Sequence, residues 1–442
     1  MGSHFIVKKK SFVTVFVCIV CGLSIVYLTT GFSDGILETV LRCIVGVLFV
    51  ISLSLGLTQG EKINPFLLFS ITPLSLLIYT ERISHRYLKH LGYQCWLLGV
   101  MNIAAFLLIL WLCTKNENTD NCYILNSEME ADDKNQRTRL ILHCIIMLTL
   151  SKIPEVCKII FGTSFFLGST INYLLYPAIV CAWKSKSKAL LLIVYMMTIL
   201  SFATSFNKSI FLSMGIVTIL SYQRFAIKSD KDEKKLYFWI AIVAAFMIFV
   251  AFPMKSLVQE QNDFSLNKLF TNMIDYTSGT NNYYASTIQW NGPAVLQLPY
   301  MYLVSAWNNV QYVMETQAEH TYGLWFFKPL LSWLQLDSLF VGKYELVSYS
   351  SFNTFGFVTV LFKDFGIIGS AMESAFLGYF VAKVYNKYRI SNSPIDIACY
   401  AMIAQATLEM FFSNHFFMLS YPFTIIIVCW IYKFVFKDAR RL

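Results

Sequence analysis

The sequence predicts an all-α polytopic integral membrane protein, with about twelve transmembrane helices and one large extracytoplasmic loop between spans nine and ten. Three observations carry this prediction. Hydrophobic residues make up 56% of the chain against 14% charged, with a mean hydropathy of +0.56, a balance foreign to soluble globular domains. Apolar windows long enough to cross a hydrocarbon core of ~30 Å recur along the chain. One long stretch, 253–365, is instead mostly polar and rich in aromatic residues.

The windows fall at 11–30, 37–57, 63–80, 94–113, 138–152, 165–183, 189–206, 208–224, 236–252, 366–384, 394–412 and 416–436. Two of them, 138–152 and 208–224, are short and flanked by charge, which leaves tilted, re-entrant or differently bounded helices open. The order divides the chain into an N-terminal transmembrane bundle over 1–252, a periplasmic loop over 253–365 and a C-terminal bundle of three spans over 366–442. Within the first bundle, 114–137 is polar, with little pattern, and is expected to be a flexible cytoplasmic loop. Lys8, Lys9 and Lys10 before the first apolar run imitate a secretory signal. No small-residue cleavage site follows, so a retained signal anchor is expected.

Orientation follows from the short loops, because Lys and Arg are kept on the cytoplasmic side. Lys184, Lys186 and Lys188, then Lys228, Lys231, Lys234 and Lys235, then Lys383, Lys387 and Arg389, then Lys433, Lys437, Arg440 and Arg441 all share one side if both termini are cytoplasmic. This places 253–365 outside. Arg82, Arg86 and Lys89 disagree, so either they are functional or the first four spans are misassigned.

The formal charge of +9 sits mostly at the cytoplasmic edge, as positive-inside retention produces, and says nothing about nucleic acid, which is not among the expected partners. None of the eleven cysteines lies in 253–365, which excludes a disulfide-stapled outer domain. Cys18-x-x-Cys21 lies in an apolar run without further ligands, and neither a metal nor a cofactor is expected. Gly-rich phosphate loops, HExxH and nucleophile elbows are absent from the sequence. No internal repeat relates the two halves, which weighs against the common transporter plans.

In the large loop, Trp290, Trp307, Trp325 and Trp333 stand among Tyr and Phe, with Asn281, Asn282, Gln289, Asn308, Asn309 and Gln311 interspersed. Rings stack on the C–H faces of sugars and amides pair with hydroxyls, so the mixture suits a carbohydrate groove; an aromatic belt at the membrane interface is the alternative. Residues 294–313 are amphipathic enough for a surface helix.

Phe352-Asn353-Thr354-Phe355, followed by Phe362-Lys363-Asp364-Phe365-Gly366 and Gly369-Ser370, resembles the stretch that closes the large periplasmic loop of Wzy-type O-antigen and oligosaccharide repeat-unit polymerases. Tyr276-Thr277-Ser278-Gly279 resembles the segment that opens that loop, and Tyr322-Gly323-Leu324 with Pro329 its middle. Ser205-Phe206-Asn207-Lys208-Ser209 resembles the family's Gly-Ser-Arg turn, with Lys208 in place of the usual Arg. The resemblance covers the span layout and roughly residues 200–385.

It implies a GT-C-like, metal-independent glycosyltransferase of the bacterial inner membrane, with its active site facing the periplasm. Donor and acceptor would be undecaprenyl-pyrophosphate-linked oligosaccharides, with membrane lipids and a chain-length regulator protein as further partners. A hydroxyl of the acceptor attacks the donor's anomeric carbon and undecaprenyl pyrophosphate leaves. That chemistry needs cations for the diphosphate and a group to take the acceptor proton. Lys208, helped by Lys152 and Lys158, suits the diphosphate, with snorkelling to head groups as the alternative for the latter two. Asp364 and His320 are the candidate acid–base groups; Asp364 before a span also suits a helix N-cap. Asn353 and Lys363 belong to the matching motif. Glu373 and Glu409 lie inside spans, where an ionised carboxylate needs a partner or a wet cavity. An O-antigen ligase and a flippase for the same lipid-linked unit are the alternative functions. The ligases' His-bearing loop motif is not evident, and a flippase has no use for so large an outer loop.

Overall fold

The computed structural model describes residues 35–59, 61, 63–79, 88–114, 134–161, 171–205, 208–227, 230–246, 294–317, 319–334, 336, 338–339, 346, 354–413 and 422–436. The expected first span and signal anchor, most of the loop 114–137, Asn353, Arg82 and Arg86, and the opening of the large loop with Trp290 lie outside them. In chain order the helices are α1 Ile36–Thr58, α2 Pro65–Phe69, α3 Ile71–Leu77, α4 Tyr93–Cys113, α5 Lys134–Phe161, α6 Leu175–Lys184, α7 Lys188–Ser205, α8 Lys208–Phe225, α9 Asp230–Phe246, α10 Ala294–Thr316, α11 Leu324–Trp333, α12 Phe357–Ile390, α13 Pro394–Glu409 and α14 Pro422–Val435. Among the described residues the only extended pairing is an isolated bridge between Phe355 and Ser413.

The protein is an all-α membrane protein by the length and composition of its helices. Four stretches among the described residues are long and apolar enough to cross a bilayer: α1, α4, Lys134–Cys157 within α5, and α12. Their outer faces carry the same message. On α12, Ile368, Met372 and Phe376 are exposed while Ser370, Glu373 and Ser374 are buried, the reverse of a helix facing water. On α1, Ile36, Val40, Val47 and Ile51 form a similar exposed apolar stripe.

Several expected spans differ in extent. The third, 63–80, is two short helices, α2 and α3, whose stretch Pro65–Leu77 is too short to cross alone. Asn64 starts α2 by accepting from Leu67 N at 3.0 Å, with Pro65 at the first helical position. Its amide also donates to Gly56 O and Glu61 O, both at 2.9 Å, which ties the chain back onto the end of α1. A Cβ on Gly56 would lie 2.8 Å from Leu67 N, so glycine permits this close approach. The fifth span is longer than expected, as α5, and the sixth is seen only as the ten residues of α6. The tenth begins at Phe357 rather than 366, so the expected loop boundary falls inside α12, at a break over Phe365-Gly366.

The chain divides into two compact units. The first comprises Met1–Cys113, Phe246–Ala382 and Thr407–His415. In it, α1 packs on α2, α3 and α4, and α10 packs on α3 and α4. Asn102 of α4 donates to Ser370 Oγ at 2.9 Å and accepts from Ser374 Oγ at 2.5 Å on α12, a polar pairing suited to helices in lipid. Close to it, Gly378 lets α12 approach Phe106 O, where a Cβ would sit at 2.5 Å.

The second unit comprises Thr114–Ala245, Lys383–Ala406 and Phe416–Leu442. Its centre is α6, buried from Leu175 to Ala182 and flanked by α5, α7 and α8. Tyr176 donates to Gln405 Oε1 at 2.8 Å, and the rings of Tyr388 and Tyr400 stack 4.4 Å apart.

Candidate functional site

The site is built on a break in α12. Phe365 (φ −136°, ψ 16°) and Gly366 (φ 68°, ψ −160°) leave helical geometry in the middle of a membrane-length helix. Interrupting a helix strips carbonyls of their usual partners, and inside a bilayer these must be satisfied by other protein groups. The chain before α11 supplies the donors. Thr321 N donates to Lys363 O at 2.8 Å and Tyr322 N to Asp364 O at 2.9 Å. Tyr322 (φ 50°) and Gly323 (φ 88°) then turn the backbone into α11.

Asp364 is fully buried and takes three donors: Thr321 Oγ1 at 2.6 Å and Trp325 N at 2.9 Å on Oδ1, and Phe326 N at 2.7 Å on Oδ2. The expectation of a capping aspartate is met in an altered form. The carboxylate sits at the N-terminus of α11, not of its own span, and so pins α11 to the break. With its oxygens taking the Thr321 hydroxyl and two backbone amides, Asp364 anchors α11 to the break.

Around this anchor stand the other candidates from the same stretch. Lys363 is buried, and its ammonium donates to Gln317 O at 3.1 Å. The His320 ring meets Phe362 edge-on at 5.6 Å and lies against Gly366, where a Cβ would fall 3.0 Å from Nε2. Gly366 is therefore required twice, by its positive φ and by the imidazole. His320 Nδ1 is buried without a hydrogen-bond partner. Two turns beyond the break, Glu373 is 8% exposed and both of its carboxyl oxygens are buried without a hydrogen-bond partner. A carboxyl left unpaired inside a membrane-length helix makes Glu373 a candidate for function.

Glu409 lies in the same unit near the start of α12: Phe357 N donates to Met410 O at 3.0 Å, and Glu409 O accepts from Phe412 N and Ser413 N. Lys152, Lys158 and Lys208 belong to the second unit. There Lys152 pairs with Glu155 at 3.1 Å, Lys158 is a residue of α5, and Lys208 is the first residue of α8.

Of the aromatic and amide residues expected in a sugar groove, Trp307, Asn308 and Asn309 are bonded within the unit. Trp307 Nε1 donates to Ser75 Oγ at 2.8 Å. Asn308 Oδ1 accepts from Lys89 N at 2.8 Å, and Asn309 Nδ2 donates to Thr354 O at 2.7 Å. All three side chains are buried, which also corrects the surface helix expected over 294–313: α10 turns Ser305, Asn308 and Asn309 into the unit. An amide that bonds backbone has the same composition signature as one that bonds sugar. Lys89, one of the misfit cations, pairs with Glu315 at the end of α10.

Sequence reasoning missed Thr321 and the turn at Tyr322-Gly323, although a glycine closing a polar segment before an apolar run was a usable turn signal. It also missed Asn102, a lone amide in an apolar span. No protein-family model, curated protein or solved structure matches the chain.

Proposed function

We propose that this protein is an O-antigen, or oligosaccharide repeat-unit, polymerase: a glycosyltransferase that joins undecaprenyl-pyrophosphate-linked repeat units at the periplasmic face of the bacterial inner membrane. The observation that supports it is the arrangement of the quintet Phe362–Gly366, the part of the chain carrying the resemblance to that family. It forms the break in α12, is anchored through Asp364 and lies against His320, with the unpaired Glu373 two turns on along the helix.

In this reading the acceptor hydroxyl attacks the donor's anomeric carbon, the bond from that carbon to the pyrophosphate oxygen breaks, and the hydroxyl proton passes to a protein group. Glu373 and His320 carry acceptor atoms not consumed by the fold, so they are assigned to the acceptor hydroxyl. Asp364 is a positioning residue that holds α11 against the break. Departure of the diphosphate calls for a fixed cation that stabilises the developing charge.

The test is the surface glycan of a deletion strain. A polymerase deletion leaves lipid A-core capped by a single repeat unit, and plasmid-borne wild type restores the ladder. Bare core would overturn the proposal in favour of a ligase or a flippase.

A further inference from the structure

In the second unit, α13 and α14 bring two thiols into contact. The Sγ atoms of Cys399 and Cys429 are 3.3 Å apart, although thirty positions separate them in sequence. Cys399 is buried at 6% exposure and Cys429 is half-buried, so the two are unequal in access. The start of α13 is held in place: Lys387 Nζ pairs with Asp396 Oδ1 at 2.6 Å, and Ser391 Oγ donates to Asp396 Oδ2 at 2.7 Å. Cys399 is thus presented to α14 from a tethered helix end. None of this belongs to the broken-helix site.

We propose that Cys399 and Cys429 are a redox-active thiol pair that closes reversibly to a disulfide linking α13 to α14, by exchange with a low-molecular-weight disulfide. The Cys429 thiolate, the more accessible of the two, attacks one sulfur of the small disulfide and releases one small thiolate. Cys399 then attacks Cys429 Sγ in the mixed disulfide, forms the protein disulfide and expels the second small thiolate. Two protein thiols are oxidised, one small disulfide is reduced to two thiols, and the two protons pass to the leaving thiolates. Cys429 is the entry thiol and Cys399 the resolving one.

The experiment uses the full chain in membranes with every other cysteine replaced by alanine, and bis(2-hydroxyethyl) disulfide as the probe. After denaturation, maleimide-polyethylene glycol counts free thiols: two before treatment, none after it, and two again after dithiothreitol. Cys399→Ala should trap one mercaptoethanol group on Cys429, whereas Cys429→Ala should leave Cys399 free. Two thiols still free after treatment, or a mixed disulfide that persists on Cys429 with Cys399 intact, would overturn the proposal. If the replaced background does not insert, peptide mapping of the wild-type chain by mass spectrometry reads the same linkage directly.

Discussion

The two ends of α12 solve the same problem in opposite ways. At its C-terminal end the last carbonyls are taken up by one cation: Arg224 Nη2 donates to Tyr388 O at 3.2 Å, Arg389 O at 3.1 Å and Ser391 O at 2.9 Å, while its Nε donates to Asn392 Oδ1 at 2.8 Å. The guanidinium also lies 5.4 Å above the Tyr388 ring, and Lys184 donates to Asn392 O at 3.1 Å. Around the break at Phe365-Gly366, by contrast, the Lys363 and Asp364 carbonyls have donors but Glu373 and His320 Nδ1 have no hydrogen-bond partner. On the proposed function, the difference separates architecture from chemistry: one end spends its polar groups on the fold, and the other leaves two unpaired. Removing a group from the first should lower stability, and removing one from the second should lower activity.

Glu373→Gln should give the largest effect. Glutamine keeps the volume and removes the ionisable carboxyl, so a proton-accepting role predicts a polymerisation rate lower by about 10²–10⁴. Stability should hold or rise, since no partner is lost and a buried unpaired charge is avoided. The measurement is chain elongation on lipid-linked repeat units with melting of the purified variant in parallel. Normal elongation with a lowered melting temperature would place Glu373 with the architecture.

Gly366→Ala comes next. It forces a positive φ on a residue with a Cβ and drives that atom into His320, a strain of roughly 1–3 kcal/mol before any clash is relieved. Both melting temperature and elongation should fall. The double variant Gly366→Ala/His320→Ala should recover part of the stability, because the clash disappears while the backbone strain remains.

Arg224→Ala probes the other end. Losing a charged donor to four acceptors should cost about 1.5–3 kcal/mol and leave elongation per folded molecule unchanged. A variant that melts normally but fails to elongate would erase the contrast between the two ends.

How much of this was legible in the sequence depends on how local the cause was. Gly366 was read as the first residue of a span, and it marks the break because a glycine after Asp-Phe is a local signal. The isolation of Glu373 was legible because its neighbours are apolar. The helix that Asp364 caps was not, since α11 lies some forty residues upstream and nothing at Asp364 names its partner. The division of 63–80 into α2 and α3 was available in Asn64-Pro65, a start signal overridden by the apolar run. Asn308 and Asn309 were misread because only three-dimensional partners distinguish an amide that braces a loop from one that binds sugar.

The smallest predicted effect falls on the anchor itself and sharpens the comparison most. Thr321 is 4% exposed, and its hydroxyl donates to Asp364 Oδ1 at 2.6 Å beside Lys363 O at 3.2 Å. Thr321→Val keeps the branched shape and deletes that donor, while the amides of Trp325 and Phe326 still hold the carboxylate. One hydrogen bond to a charged group then separates the variants, with a loss of about 1.5–3 kcal/mol at most, and nearer the lower value because two donors remain. If Asp364 only anchors α11, the melting temperature falls slightly and elongation per folded molecule stays at the wild-type rate. If Asp364 takes part in the chemistry, withdrawing a donor from its Oδ1 alters its basicity. Elongation would then change far more than stability does, and its pH profile would shift with it. The second outcome would move Asp364 from the architecture to the reacting groups and leave Glu373 and His320 as its supports.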